Sequence, residues 1–470
     1  MQDYFELEKN IESIKEMAAM GDADAQNKLG FCYKHGIAGV PQNDEEAVKW
    51  FTKAANQGFA KALSNLGFAF FYGQGVVKDV QKAIGCLTKA AEQGLAVAQA
   101  KLGDIYFHGD GMDQDYGKAV ELLEKAAKHN HPIALNLLGV CYKDGNGVMK
   151  NYDHAVELFR KSAELGNTNG QFNLANCLLK GLGIGKNEKE AFDWLIKATS
   201  KNDPVPQNNI GVCYLHGRGV EQCYEKAVEW FNKAAEQDYA PALSNLGYCY
   251  ECGKGVEQSY IKAFGLYRKA AEQGMPIAQA NLGTCYERGR GTAQDYAKAV
   301  EWYMKAALQD DDEAQVCLGW CYQNGLGIPQ NYEKAAEWYS KAAQIGNPRA
   351  QANLGYCYEQ GLGLEKDLDK AFDLYLQSAE GCNARGMNNL GSCFLYGDGV
   401  VKNEKRAYEW FLKAANLGDS MAQYNLGYCF EQGIGVEQDD NNAIFWYSRA
   451  AEEGDLDAEK AIKRILHKND

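Results

Sequence analysis

No stretch of eighteen apolar residues occurs anywhere in the chain, so nothing has the length a helix needs to cross a bilayer. Positive charge is also in short supply. Lys and Arg total 49 against 63 Asp and Glu, a net charge of −14. Binding to a phosphate backbone draws on clustered Lys and Arg that release counterions, so this balance argues against nucleic acid as the main partner. The opening stretch, MQDYFELEKN, lacks the basic-then-apolar layout of a secretory signal, and a cytoplasmic setting is the expectation. Proline is scarce, with eight residues in 470, in a composition that is otherwise that of a soluble globular protein.

What the chain has is repetition. Leu-Gly recurs at Leu29, Leu66, Leu102, Leu138, Leu246, Leu282, Leu318, Leu354, Leu390 and Leu426, while Leu174 and Ile210 fill the two remaining slots. From Leu66 onward every step is 36 residues, and the first is one residue longer, in the loop around Gly36–Gly39. A fixed period of this size marks a helical solenoid. Twelve repeats cover residues 22–454, numbered here 1 to 12 in chain order.

Each repeat divides into two helices. In the first, Ala at −4 and Tyr at +4 from the Leu fall within about 40° of it at 100° per residue, as in Ala278, Leu282 and Tyr286. That stripe is expected to be buried. The second carries an Ala followed three and four residues later by aromatic or Leu residues, then usually Lys-Ala-Ala; Ala299, Trp302, Tyr303 and Ala306 are one set. Seven tryptophans (Trp50, Trp194, Trp230, Trp302, Trp338, Trp410 and Trp446) share one slot of this helix, and a repeated slot is read as core packing.

Gly-x-Gly stands between the helices, as at Gly325 and Gly327. No strand precedes it and the six-residue phosphate-binding fingerprint is missing, so its first Gly is assigned to a left-handed helix C-cap. Asp, Asn or Ser four residues before the second-helix Ala, such as Asp295, Asn331 and Ser259, fits an N-cap. Cys223 takes that slot in repeat 6, where the positive end of a helix would favour a thiolate. Residues 1–21 and 455–470 read as capping helices, the second largely charged, which a solenoid needs over its ends.

The sequence Ala-x-Ala-Gln-x-Asn-Leu-Gly-x-Cys-Tyr, followed by Gly-x-Gly-Val, Lys-Ala-Val-Glu-Trp and Lys-Ala-Ala, resembles the Sel1-like repeats of the tetratricopeptide superfamily over essentially the whole chain. The resemblance implies an all-α, right-handed solenoid superhelix of twelve helix-turn-helix units whose first helices line the concave side. It also implies an adaptor that assembles protein complexes, with no enzyme activity and no cofactor.

Partner-binding positions are sought where the repeat leaves residue choice open. Positions −1 and +2 from the Leu lie near 260° and 200°, away from the core stripe, and share one face as an i, i+3 pair. Position −1 is Asn at Asn245, Asn281, Asn353, Asn389 and Asn425 in the second half, and position +2 is aromatic at Tyr248, Trp320, Tyr356 and Tyr428. An Asn ladder can bond to an extended peptide backbone, with the aromatics as apolar anchors. These nine residues are the candidate partner-binding set. Equally, the asparagines can bond to a neighbouring repeat instead. Cys317 interrupts the ladder beside Trp320, the only Trp outside the shared slot, which suggests a local pocket.

Two other functions have partial signals in the sequence. Cysteine-rich Sel1-like proteins have been linked to β-lactam hydrolysis, and Ser259-Tyr-Ile-Lys262 matches Ser-x-x-Lys. Ser259 and Lys262 nevertheless occupy regular repeat slots. Ten of the fifteen cysteines, from Cys32 to Cys429, fill one first-helix slot that is otherwise taken by Ala69 or Ile105, as a small buried position is. Cys249-x-x-Cys252 lacks the second pair that a zinc site requires, so no metal is implied. An RNA-binding helical repeat would be expected to carry a basic groove.

Overall fold

The computed structural model describes residues 10–199 and 202–467. Among them are 26 α-helices and no strand. The chain forms two compact units, one running up to Ala234 and the other beginning at Ala235. In each unit the two helices of a repeat pack together, and the second packs on the first helix of the next repeat. Consecutive first helices also meet directly. In the first unit this holds for repeats 3, 4 and 5, and in the second for repeats 10 (Pro348–Gln360), 11 (Ala384–Tyr396) and 12 (Ser420–Gln432). That crowding makes the first helices the inner layer of each unit.

Local chemistry explains why the elements start and stop where they do. In eleven repeats the residue before the second helix accepts a hydrogen bond from an otherwise orphaned backbone N–H; Asn331, for example, accepts from Lys334 N–H at 2.8 Å. The first helix of repeat 9 (Asp312–Asn324) ends at Gly325, whose φ of 69° is left-handed and whose N–H donates to Cys321. The second Gly of the loop has a different task. A Cβ at Gly327 would lie 2.3 Å from the backbone of Tyr296 in the preceding repeat, so this loop seats directly on its neighbour. Gly319 allows close approach of the two helices within its repeat, because a Cβ there would lie 2.7 Å from the Tyr339 ring.

The cores are built from alanines and one large residue per second helix. Tyr267, Tyr303, Tyr339, Tyr375, Tyr447, Phe51, Phe159, Phe231 and Phe411 are all fully buried. This corrects the reading of the tryptophan slot as core. Trp302, Trp338 and Trp410 are only half-buried, and a lysine one turn on covers each ring: Lys305, Lys341 and Lys413 lie 3.8, 4.0 and 3.9 Å from the ring centroids. Trp50, Trp194 and Trp230 are arranged alike, and only Trp446 is buried. The residue after the Trp sits nearer the centre of the apolar stripe, with the Trp roughly 60° off at its edge. Tyr286 is likewise half-buried, whereas Ala278 and Leu282 of its stripe are fully enclosed.

The buried tyrosines reach back to the first helix of their own repeat. Tyr303 donates to Glu287 at 2.6 Å, Tyr375 to Glu359 at 2.5 Å and Tyr447 to Glu431 at 2.9 Å. The Gln of the Ala-Gln motif links successive repeats. Gln279 and Gln315 donate to the carbonyls of Ala271 and Ala307 at 3.2 and 3.3 Å, satisfying groups that the end of the previous helix leaves open.

At the ends, Ile11–Ala19 packs on repeat 1 through Ile14 and Ala18, and residues 1–9 of the expected cap lie outside the described residues. Leu456–Leu466 closes the second unit with Ala458, Ala461 and Ile465 buried, while residues 468–470 lie outside the description. Arg464 grips both carboxylate oxygens of Glu431, at 2.8 and 2.7 Å.

Candidate functional site

All nine candidate residues lie in the second unit, on first helices. Their aromatics are exposed: Tyr248, Trp320, Tyr356 and Tyr428 stand between 37% and 41% open to solvent.

The asparagines divide into two kinds, and the division follows the residue at position −2 of the preceding repeat. Asn425 donates to Asn388 at 2.9 Å, as Asn65 does to Asn27 and Asn173 to Asn136 in the first unit. There the ladder is internal, and Asn425 holds two repeats together. In repeats 9 and 10 position −2 is Val316 and Ala352, which have no acceptor. Asn353 therefore makes no such link, and Asn389 instead accepts from its neighbour Asn388 at 3.3 Å. Asn245 and Asn281 are half-buried.

Around this interruption the inner layer opens into a cleft of about 510 Å3, bounded by Asn281, Thr284 and Glu287 of repeat 8, Val316, Cys317 and Trp320 of repeat 9, Asn353 of repeat 10 and Arg385 of repeat 11. A second hollow of about 220 Å3 adjoins it and shares Trp320, Ala352, Asn353 and Arg385, adding Tyr356, Asn389 and Met421. Trp320 thus borders both hollows, together with Ala352, Asn353 and Arg385. The structure brings Asn281, Trp320, Asn353, Tyr356 and Asn389 together. Asn245, Tyr248, Asn425 and Tyr428 lie outside both hollows. Tyr248 is engaged by Lys254, whose ammonium donates to its hydroxyl at 2.8 Å.

The sequence reading missed the charge. Arg288, Arg349 and Arg385 line the cleft with Glu287 and Glu313. Glu313 pairs with Arg349 and accepts from Asn347 at 3.0 Å, while Glu287 accepts from Tyr303. A repeat-by-repeat alignment carries the signal, because Glu313, Arg349 and Arg385 all stand five residues before the Leu. At the floor, burial pushes the Cys317 thiol up to about 11, which leaves it protonated.

The catalytic alternatives find no matching geometry. Ser259 accepts from Lys262 N–H at 3.4 Å as a helix cap, and the Lys262 ammonium lies over the Tyr250 ring at 4.9 Å. Burial raises the ladder thiols, to about 12 at Cys285, Cys321, Cys393 and Cys429. Cys223 points its thiol at the Glu225 carboxylate, 3.4 Å away. Among the described residues no helix is long and apolar enough to cross a membrane.

Comparison with known proteins agrees with the geometry. The Sel1 repeat family model matches twelve times, from residues 23–59 through to 420–455. The crystal structure of c5321, a protective antigen present in uropathogenic Escherichia coli strains, is 35% identical over 90% of both chains with a TM-score of 0.66. A Sel1 repeat protein from Oxalobacter formigenes is 31% identical over 66% of this chain and 90% of its own, with a TM-score of 0.50. Chitin synthase regulatory factor 3 of Schizosaccharomyces pombe is 38% identical over 65 residues, a match that spans 14% of this chain and 7% of that protein. Proteins built on this repeat generally mediate protein–protein interaction. With the family model matched twelve times from residue 23 to residue 455, over helix pairs that share one period, one set of caps and one set of Gly contacts, the chain belongs to the Sel1 repeat family.

Proposed function

We propose that this chain is an interaction scaffold that holds a peptide segment of a partner protein on the inner face of repeats 7–12. The reading is supported above all by Trp320, an exposed indole that borders two hollows on that face. Asn353 and Asn389 flank it with amides that the repeat-to-repeat ladder does not use. An amide can both donate to and accept from an extended backbone, and the indole and Tyr356 supply apolar area, where interfaces concentrate their energy. Volumes of this size suit side chains of an extended segment rather than a flat protein surface. A cytoplasmic setting and the absence of catalysis belong to the same proposal.

Affinity capture from native lysate with the full chain, beside a Trp320→Ala/Tyr356→Ala variant, tests it. The proposal expects proteins retained by the first and lost from the second, with unchanged far-ultraviolet circular dichroism. Identical retention by both chains would sink it.

A further inference from the structure

The cleft beside Trp320 has an electrostatic character opposite to that of the whole chain. The protein carries a net charge of −14. The cleft is lined by three cations, Arg288, Arg349 and Arg385, against two anions, Glu287 and Glu313. Both anions are engaged within the protein. Glu287 accepts from the Tyr303 hydroxyl at 2.6 Å, and Glu313 is taken by Arg349. Two of the cations are not: among the described residues neither Arg288 nor Arg385 forms an ion pair. Arg385 borders both hollows, on the same walls as Trp320 and Asn353. A guanidinium without a partner, beside an indole and an amide, is poised for planar, two-pronged bonding to a carboxylate.

Resting on the peptide-scaffold reading above, we infer that the segment bound in this cleft is acidic: an extended peptide that presents a carboxylate side chain to Arg385 next to an apolar side chain seated against Trp320. Charge complementarity selects this occupant. A basic segment would face Arg288 and Arg385, two exposed guanidinium groups that form no ion pair among the described residues. A nucleic acid would bring its phosphates up against Glu287 and Glu313 as well as the arginines, with too few cations clustered to offset them. The acidic surface elsewhere repels an acidic ligand, so the guanidinium pair also fixes where along the solenoid such a segment can settle.

Fluorescence anisotropy on the full chain tests this with three fluorescein-labelled, C-terminally amidated dodecapeptide pools. Each has a fixed centre, Glu-Leu-Glu, Gln-Leu-Gln or Lys-Leu-Lys, between randomised flanks. A fourth probe is a labelled dodecamer of oligoadenylate RNA. The inference expects the Glu pool to bind at least about tenfold more tightly than the Gln pool, in line with a charge-assisted hydrogen bond. It also expects Arg385→Gln to remove that preference while Arg268→Gln, on the outer layer, leaves it intact. Equal binding of the Glu and Gln pools, with loss of both in Trp320→Ala, would overturn the acidic specificity and leave the peptide-scaffold reading standing. Preference for the Lys pool or for the RNA would overturn the inference too, and binding of no probe would overturn it together with that reading. A Glu preference that survives Arg385→Gln would contradict the site.

Discussion

Asn425 donates its side-chain amide to Asn388 of the preceding repeat at 2.9 Å, and the corresponding donation from Asn353 has no acceptor because Val316 stands where Asn388 stands two repeats further on. One slot therefore serves packing between repeats in one place and takes no part in that link in another. Asn425→Ala should lower stability by about 1 kcal/mol, the net worth of a typical hydrogen bond, and more if Asn388 is left without a partner. Asn353→Ala should change stability by less than about 0.5 kcal/mol. Urea unfolding of both variants checks this. Equal losses would contradict the division of the ladder.

Neighbouring residues in the second helix should differ as sharply. Tyr339→Ala removes a fully buried ring and should cost about 3–5 kcal/mol. Trp338→Ala removes a half-buried ring under the Lys341 ammonium, and should cost only about 1–2 kcal/mol. Thermal melts of the two variants side by side give the order, and a larger loss for Trp338→Ala would restore the tryptophan slot to the core.

These cases show what was legible in the sequence. The period, the caps and the Leu-Gly stripe follow from backbone geometry, which every repeat must satisfy, so Asp295 and Gly325 do what their positions suggested. Trp338 was misread because hydrophobicity alone does not separate the centre of an apolar stripe from its edge. The aromatics of the candidate set are exposed as sought, but only Trp320 and Tyr356 border the hollows. Which asparagines are free depends on the partner residue some 37 positions earlier, a relation between repeats rather than within one. Arg349 and Arg385 went unnoticed because each is ordinary in its own helix, and only stacking makes them neighbours across one cleft.

The C-terminal helix is pinned by one buried carboxylate. Glu431 is only 4% exposed and is held by Arg464 and Tyr447. Arg464→Met leaves that carboxylate without its cation and should release Leu456–Leu466 at a local cost of about 2–3 kcal/mol. Hydrogen exchange should quicken in this helix first. Uniform change across the second unit would contradict a local anchor.

Alkaline pH should destabilise the protein. The ladder thiols have an ordinary value of 9.0, and burial pushes Cys285 and Cys321 up to about 12 in the folded state. A raised acid contributes stability fully below the unfolded value and loses it as pH climbs towards the folded one. The buried tyrosines Tyr303 and Tyr339 are raised by burial too and add in the same direction from about pH 10. Melting temperature should therefore fall from about pH 9 upward. A Cys285→Ala/Cys321→Ala variant should show a shallower fall, and an unchanged slope would remove the thiols from the account.

The central claim, that Trp320 serves a partner while the second-helix residues serve the fold, rests on one paired measurement. Binding of the captured partner, or of the acidic peptide pool, is titrated against Trp320→Ala and Trp338→Ala, and each variant is melted in parallel. The account predicts that Trp320→Ala loses roughly thirtyfold in affinity, about 2 kcal/mol, with a melting temperature close to that of the parent chain. Trp338→Ala should keep its affinity and melt lower. If Trp320→Ala instead melts lower while its folded fraction still binds like the parent, Trp320 is a packing residue and the cleft is not the binding face.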